Sequence, residues 1–349
     1  FGSSCPLLQL YTQKSQKASC VGVLMLASVR TSRSRSREKA CHSIGEVAVC
    51  TQTLTIAMTL GDACDRLIAS GHTGALVMDG CEVVGVITEN DILAALMDGI
   101  ERDIQLDLWL RGGKARLPCC LLNSLTLTAS VSLLRAAERM AGQAEQDSGY
   151  ACHHLLVANG SKSHLLSDLD VARNLISLGG RRLEPLSSMD VEQAMKKREN
   201  VATCRLSDKL IDAYRIMFES RQNCVLVVEG LGDVDGENVV CPEEKGSHIH
   251  GVITVSDALR TFSECQSGDN TTVKGFLNGL TADEHFTAPG RSILHSQKLV
   301  EAAELMSELG VHHLVVLKGQ KEIVGVLSAL DIVCALSSRS WTNGPEGGA

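Results

Sequence analysis

Four times in this chain a hydroxyl side chain is followed, three positions on, by an aspartate. Thr88 precedes Asp91, Ser167 precedes Asp170, Thr254 precedes Asp257 and Ser328 precedes Asp331. Two chemistries use that spacing. A hydroxyl and an acid three apart form the box that caps a helix N-terminus, where the helix dipole also favours a carboxylate. A carboxylate that accepts two hydrogen bonds is also the natural partner of a ribose diol, as in dinucleotide-binding folds. The reciprocal residue preferred in a capping box is Glu or Gln, long enough to reach back to the cap amide. All four copies here use the shorter Asp, so the spacing gives Asp91, Asp257 and Asp331 a ribose-binding role beside the cap. Asp170 has the weaker claim, because His164 replaces the glycine that would let backbone and ligand approach. Thr88, Thr254, Ser328 and Ser167 cap their helices and offer hydroxyls to sugar or phosphate at helix N-termini, which are ready-made anion sites.

The elements that position these pairs repeat with them. Gly85-Val86-Ile87-Thr88, Gly251-Val252-Ile253-Thr254 and Gly325-Val326-Leu327-Ser328 are short apolar strands, and His164-Leu165-Leu166-Ser167 is a worn copy. The pattern returns at intervals of roughly 80 residues, a period that signals repeated units. Before each copy stand an entry strand, a helix with apolar residues on one face, and a first hairpin strand. The units fall at 47–98, 122–178, 198–263 and 289–338. Residues 179–197 form a hinge and a short helix. The third unit's hairpin carries an acidic insert at 230–249, expected to be a solvated surface loop. Residues 1–45 are basic, Ser-rich and poor in acids, a composition that fits either a disordered tail or an organelle-targeting segment. Residues 339–349 read as a flexible tail.

Bulk composition narrows the function classes. The chain has 349 residues, 44% apolar and only 3% aromatic, so its core is Val, Leu, Ile and Ala. That scarcity argues against stacking platforms for single-stranded nucleic acid. A net charge of −8 argues against a phosphate-backbone partner. The fourteen cysteines show no C-x-x-C and no framework, which suits buried thiols in a reducing, intracellular and by default cytoplasmic setting. The apolar run at 21–29 is too short to span a bilayer.

The order of elements, with G-(V/I)-(I/L)-(T/S)-x-x-D at the last strand–helix junction, resembles the CBS domain over roughly residues 47–338. The resemblance implies an α+β fold of four CBS repeats, each β-α-β-β-α, packed in pairs as two Bateman modules. Four repeats without a fused partner domain are similar in architecture to the gamma regulatory subunit of AMP-activated protein kinase. Members of the family bind AMP, ADP, ATP or S-adenosylmethionine between paired domains and regulate an enzyme or a transporter. The resemblance thus implies an adenine-containing ligand, no required cofactor, an unidentified regulated protein as partner, and a pairing of repeats that allows a homo-oligomer. In the family, basic residues at the start of the first hairpin strand hold the phosphates. The matching positions here are His153 and His154, His312 and His313, and Arg221. Imidazole is the weaker phosphate partner, since a guanidinium offers a charged fork.

Enzyme signatures are missing. There is no phosphate-binding G-x-x-x-x-G-K-[S/T], no H-E-x-x-H, and the Gly230–Gly236 glycines lead into an acidic loop rather than a helix. His248 and His250 share a strand face, but two imidazoles do not make a metal site. The expectation is a non-catalytic regulatory module. The alternative is a ligand-free scaffold or oligomerisation module whose clefts are degenerate.

Overall fold

The computed structural model describes residues 43–47, 52–111, 126–142, 152–160, 162–177, 188–228, 249–264, 271–280, 291–319 and 322–338. Within them the order strand, helix, hairpin, helix occurs four times. Unit one is β1 (Thr53–Thr55), α1 (Leu60–Ser70), β2 (Gly74–Asp79), β3 (Glu82–Thr88) and α2 (Glu89–Met97), followed by a linker helix α3 (Leu106–Arg111). Unit two is β4 (Thr126–Thr128), α4 (Leu133–Met140), β5 (His154–Asn159), β6 (Lys162–Ser167) and α5 (Asp168–Ser177). A short strand β7 (Lys196–Lys197) precedes unit three, which is β8 (Thr203–Arg205), α6 (Leu210–Ser220), β9 (Cys224–Val228), β10 (Ile249–Thr254) and α7 (Val255–Ser263). A second linker helix, α8 (Val273–Gly279), leads to unit four: β11 (Ser292–Leu294), α9 (Leu299–Leu309), β12 (His313–Lys318), β13 (Glu322–Ser328) and α10 (Ala329–Ser338).

Unit one shows why the sequence takes this course. Leu60, Ala63, Cys64 and Leu67 recur at helical spacing and are buried. The Thr59 hydroxyl accepts from the Asp62 amide at 3.1 Å, and Asp62 accepts from the Thr59 amide at 3.0 Å, so two orphan donors are satisfied. Gly71, at φ 67°, ends the helix in the left-handed region that glycine enters freely. In every unit the entry strand runs parallel to the first hairpin strand, and the hairpin is antiparallel.

One sheet of this kind has too little surface to bury alone, and the units cover each other in two ways. Sheets meet within modules: Leu76 and Val86 of unit one pack on Leu156 and Leu165 of unit two. Leu226 and Ile249 of unit three likewise pack with Val315 and Val326 of unit four. Helices meet between modules. The α1 and α2 helices share a core with α6 and α7, and α4 and α5 share one with α9 and α10. The Cys64 thiol donates to the Leu259 carbonyl at 3.2 Å across the first of these interfaces.

Several expectations need correction. Residues 191–197, the place of the short helix expected ahead of unit three, are not one helix. They form a 3₁₀ turn at Val191–Gln193 and then strand β7, which joins the edge of unit four's sheet beside β13. The linker helices α3 and α8 are not marked by long periodicity, because each is short and buries only two side chains, Leu106 and Trp109, or Val273 and Leu277. The N-terminal tail ends earlier than 45: Ile44 is 1% exposed, and its amide donates to the Val131 carbonyl at 2.8 Å. The rest of that tail, the 179–182 hinge, the body of the 230–249 insert and the 339–349 tail lie outside the described residues.

Candidate functional site

The four junctions are built alike. Each hydroxyl residue sits in extended backbone at the end of a strand, as with Thr88 at φ −125° and Thr254 at φ −119°. Its amide donates to Oδ2 of the aspartate three residues on, at 2.9 Å for Asp91, 3.0 Å for Asp170, 2.8 Å for Asp257 and 2.8 Å for Asp331. Its hydroxyl donates to the same oxygen, at 2.7, 2.7, 2.9 and 2.7 Å in the same order. Asp, contrary to expectation, is long enough to complete the box. An extended cap residue brings its amide down to the shorter acid. All four aspartates are caps, and the capping bonds that their carboxylates accept fall on Oδ2. On Asp170, Asp257 and Asp331 the second oxygen, Oδ1, accepts no hydrogen bond among the described residues.

The glycine that opens the junction strand has a different job from the one expected. A Cβ on Gly85 would lie 3.3 Å from the Leu110 side chain, on Gly251 2.9 Å from Leu277, and on Gly325 2.4 Å from the Lys196 carbonyl oxygen. The space belongs to α3, α8 and β7, which lie against the sheets, and not to a ligand. His164 is thus no obstacle to binding at Asp170 on that ground.

Three cavities each contain one junction. The largest, about 330 Å³, holds Thr254 and Asp257 and is walled by units one, three and four. A second, about 260 Å³, holds Ser167 and Asp170. A third, about 130 Å³, holds Ser328 and Asp331. Asp91 is only 2% exposed and lines none of these three, and its partner Thr88 is buried as well. Burial pushes the Asp257 and Asp331 carboxyls above the usual carboxylate range, against the pull of the cap hydrogen bonds and of Arg291 and Lys196 respectively.

The histidines converge where the four units meet. Nδ1 of His153 lies 2.7 Å from one oxygen of Asp168, and Nδ1 of His312 lies 3.1 Å from the other. Asp168 is 2% exposed, so this is a buried carboxylate clamped by imidazoles from units two and four. Asn223 of unit three contacts Nε2 of His153 at 3.0 Å, and Ser256 of unit three donates to Glu89 of unit one at 2.8 Å. Burial disfavours the imidazolium of His153 and His312, but the hydrogen bond and charge of Asp168 outweigh it, and both pKa values are raised. Burial likewise disfavours ionised Asp168, and the two histidines overcome it and hold the carboxyl well below its ordinary value. His154 and His313 differ. Burial drives them down to about 3, so each is a neutral imidazole. The expectation of four phosphate-binding histidines divides accordingly. His154 and His313 line clefts without charge, and His153 and His312 are already engaged by Asp168. Arg221 is exposed at the rim of the Asp331 cavity.

Sequence reasoning missed Asp168 and Glu89, as well as the cations of the clefts. Arg173 lies in the Asp170 cavity, Arg260 and Arg291 in the Asp257 cavity, and Lys196 in the Asp331 cavity. A signal was there for two of them. Arg173 and Arg260 each follow their junction aspartate by three positions, the spacing that puts two side chains on one helix face. Among the described residues no group of three His, Cys, Asp or Glu side chains could hold a metal ion, and His248 lies outside them. No helix of the described residues is long and apolar enough to cross a membrane.

Residues 46–98 and 291–338 match the CBS domain family. No curated protein matches the sequence. Among solved structures, the fold is similar to that of protein MJ1225 from Methanocaldococcus jannaschii, proposed as an archaeal homologue of g-AMPK. The identity is 14% and the TM-score 0.57, over 81% of this chain and 95% of that one. A conserved protein from Pyrococcus horikoshii is similar at 15% identity and TM-score 0.47, over 84% of this chain and 99% of that one.

Proposed function

We propose that this chain, a protein of four CBS repeats paired as two Bateman modules, is a non-catalytic regulator that binds an adenosyl ligand at Asp257, Asp331 and Asp170. AMP, ADP, ATP and S-adenosylmethionine are the candidates, and occupancy is relayed to a partner protein. The observation that carries this reading is the Asp257 cavity. One part of its wall is apolar, with Ile68, Leu280, Leu309 and Val311, and suits a purine. Another part sets Thr254, Asp257, Arg260 and Arg291 together, and Oδ1 of Asp257 has a lone pair to offer a sugar hydroxyl. A ligand seated there touches units of both modules, so it favours one relative arrangement of them and shifts the population toward it.

Titration calorimetry with AMP, ADP, ATP and S-adenosylmethionine tests this, together with Asp257→Asn. Asparagine can still accept from the Thr254 amide and keep the cap, yet it brings a donor and no charge to the diol. Binding weakens about tenfold or more while the melting temperature shifts little. No heat and no thermal shift with any of the four ligands would sink the reading. A specific observation favours the scaffold alternative as well: every junction aspartate is fully explained as a cap by its Oδ2, and His153 and His312 already hold an internal anion. In that case Asp257→Asn changes stability slightly and nothing else.

A further inference from the structure

One position recurs at the centre of the molecule with a change of side chain between units. The residue ahead of the first hairpin strand is Thr73, His153, Asn223 and His312 in units one to four. Each backbone carbonyl accepts from the first residue of its unit's last helix, Glu89, Asp168, Val255 and Ala329, so the four places are equivalent. Three of the four side chains are linked through one carboxylate. Asp168 holds Nδ1 of His153 on one oxygen and Nδ1 of His312 on the other, at 2.7 and 3.1 Å. The far nitrogen of His153, Nε2, meets Nδ2 of Asn223 at 3.0 Å. Among the described residues the Asn223 side chain has no other hydrogen-bond partner. Asn223 lines both the Asp257 and the Asp331 cavities.

This geometry fixes where the proton goes. Nδ1 of His153 faces a carboxylate, so it carries hydrogen in either state of the ring. The neutral ring then has a lone pair on Nε2, which accepts from the Asn223 amino group. The imidazolium has a second N–H there, and it needs an acceptor. Oδ1 of Asn223 becomes that acceptor after a half-turn about the last side-chain bond. Left unturned, two donors would face each other out of reach of water.

We propose that Asn223 reads the charge of His153: when Nε2 takes a proton the amide reverses end for end, and the Asp257 and Asp331 clefts meet a donor where they met an acceptor. The reversal itself needs no ligand, and only its effect on binding rests on the adenosyl reading above. Four acids face the ring or its partner His312: Asp168 and Asp170 from α5, Glu89 from α2 and Asp331 from α10. The bases around it are His312 and His313 of unit four and its own neighbour His154, and it shares the Asp331 cavity with Lys196 and Arg221. Burial lowers the pKa of His153, the hydrogen bond and charge of Asp168 raise it, and the net is a value above the ordinary 6.5. The amide is therefore set to turn at a pH above that value.

Nuclear magnetic resonance on the ligand-free full chain, from pH 5.5 to 9, tests the reversal. The Asn223 amide protons are assigned by their loss in Asn223→Leu, or in Asn223→Asp if leucine unfolds the chain. As pH falls, Nε2 of His153 takes its proton, and the Asn223 amide protons lose their bond to it and shift with the same midpoint. A ring that titrates while those protons stay still overturns the proposal, and so does a ring that does not titrate in this range. Calorimetry with adenosine, which is uncharged throughout the range, tests the consequence. The carbonyl end suits a ligand of hydroxyl and amino donors, so wild type binds adenosine about threefold or more weakly at pH 6 than at pH 8.5. In Asn223→Leu the ring still titrates and the pH dependence of binding disappears. Asn223→Asp loses it too, since its carboxylate oxygens accept in either orientation. A dependence that survives in both variants overturns the proposal. Adenosine that binds at neither pH ends the adenosyl reading, and the resonance measurement still decides the reversal.

Discussion

The buried carboxylate of Asp168 ties proton chemistry to the joint between the modules. His153 and His312 have raised pKa values in the fold. Their contribution is complete below the unfolded value of 6.5 and disappears as pH rises through the folded one. Asp168 is lowered, so its contribution is complete above 3.8 and disappears as pH falls through its folded value. Asp168→Asn leaves two buried imidazoles without their anion, a loss on the order of 3–5 kcal/mol for a buried pair broken from one side. Urea unfolding at pH 5.5 and 8.5 checks the sign: the cost of Asp168→Asn is larger at the lower pH. A cost independent of pH would show the imidazoles neutral throughout. His154 and His313 act in the opposite direction. Held neutral down to about 3, they contribute stability above pH 6.5 that is lost as the unfolded chain takes up protons on acidification. His313→Gln therefore flattens the acid limb of the wild-type stability curve, measured by denaturant titration from pH 7 to 4.

At the scale of elements, the junction glycines rank by what stands over them. Gly325 faces the backbone carbonyl of Lys196, which cannot turn aside, whereas Gly251 and Gly85 face leucine side chains that can. Gly325→Ala then destabilises most, by about 1–3 kcal/mol as an overpacked site, Gly251→Ala less, and Gly85→Ala least. Equilibrium unfolding in urea gives the order, and a reversal of Gly325 and Gly85 would refute the packing account. These positions also mark what could be read beforehand. The strand–helix–hairpin–helix order and the four junction pairs were legible because each depends on local periodicity or on a spacing of three. The purpose of the glycines was not, since the elements that fill their space, α3, α8 and β7, are too short to show a period. Asp168 escaped notice for another reason: its two histidines lie 15 and 144 residues away along the chain. No local pattern links residues that meet only when all four units close.

Across the whole molecule, sheets join units within a module and helices join the modules to each other. The helix-lined cores contain the largest buried side chains, among them Trp109 and Tyr214. A half molecule, cut in the segment between residues 177 and 188, exposes a face of helices whose buried positions are almost all apolar. Neither half is then expected as a stable monomer, and the two expressed together copurify as an equimolar complex, by size-exclusion chromatography with light scattering. Two well-behaved monomeric halves would overturn the view that the helical cores hold the molecule together. The same arrangement bears on time as well as affinity. Since three of the four repeats wall the Asp257 cleft, a molecule bound there as proposed is a keystone that bridges both halves, and its release is expected to be coupled to their rocking apart. Its off-rate then carries the steep temperature dependence of a parting interface, and a tracer in this cleft would report how often the two halves breathe.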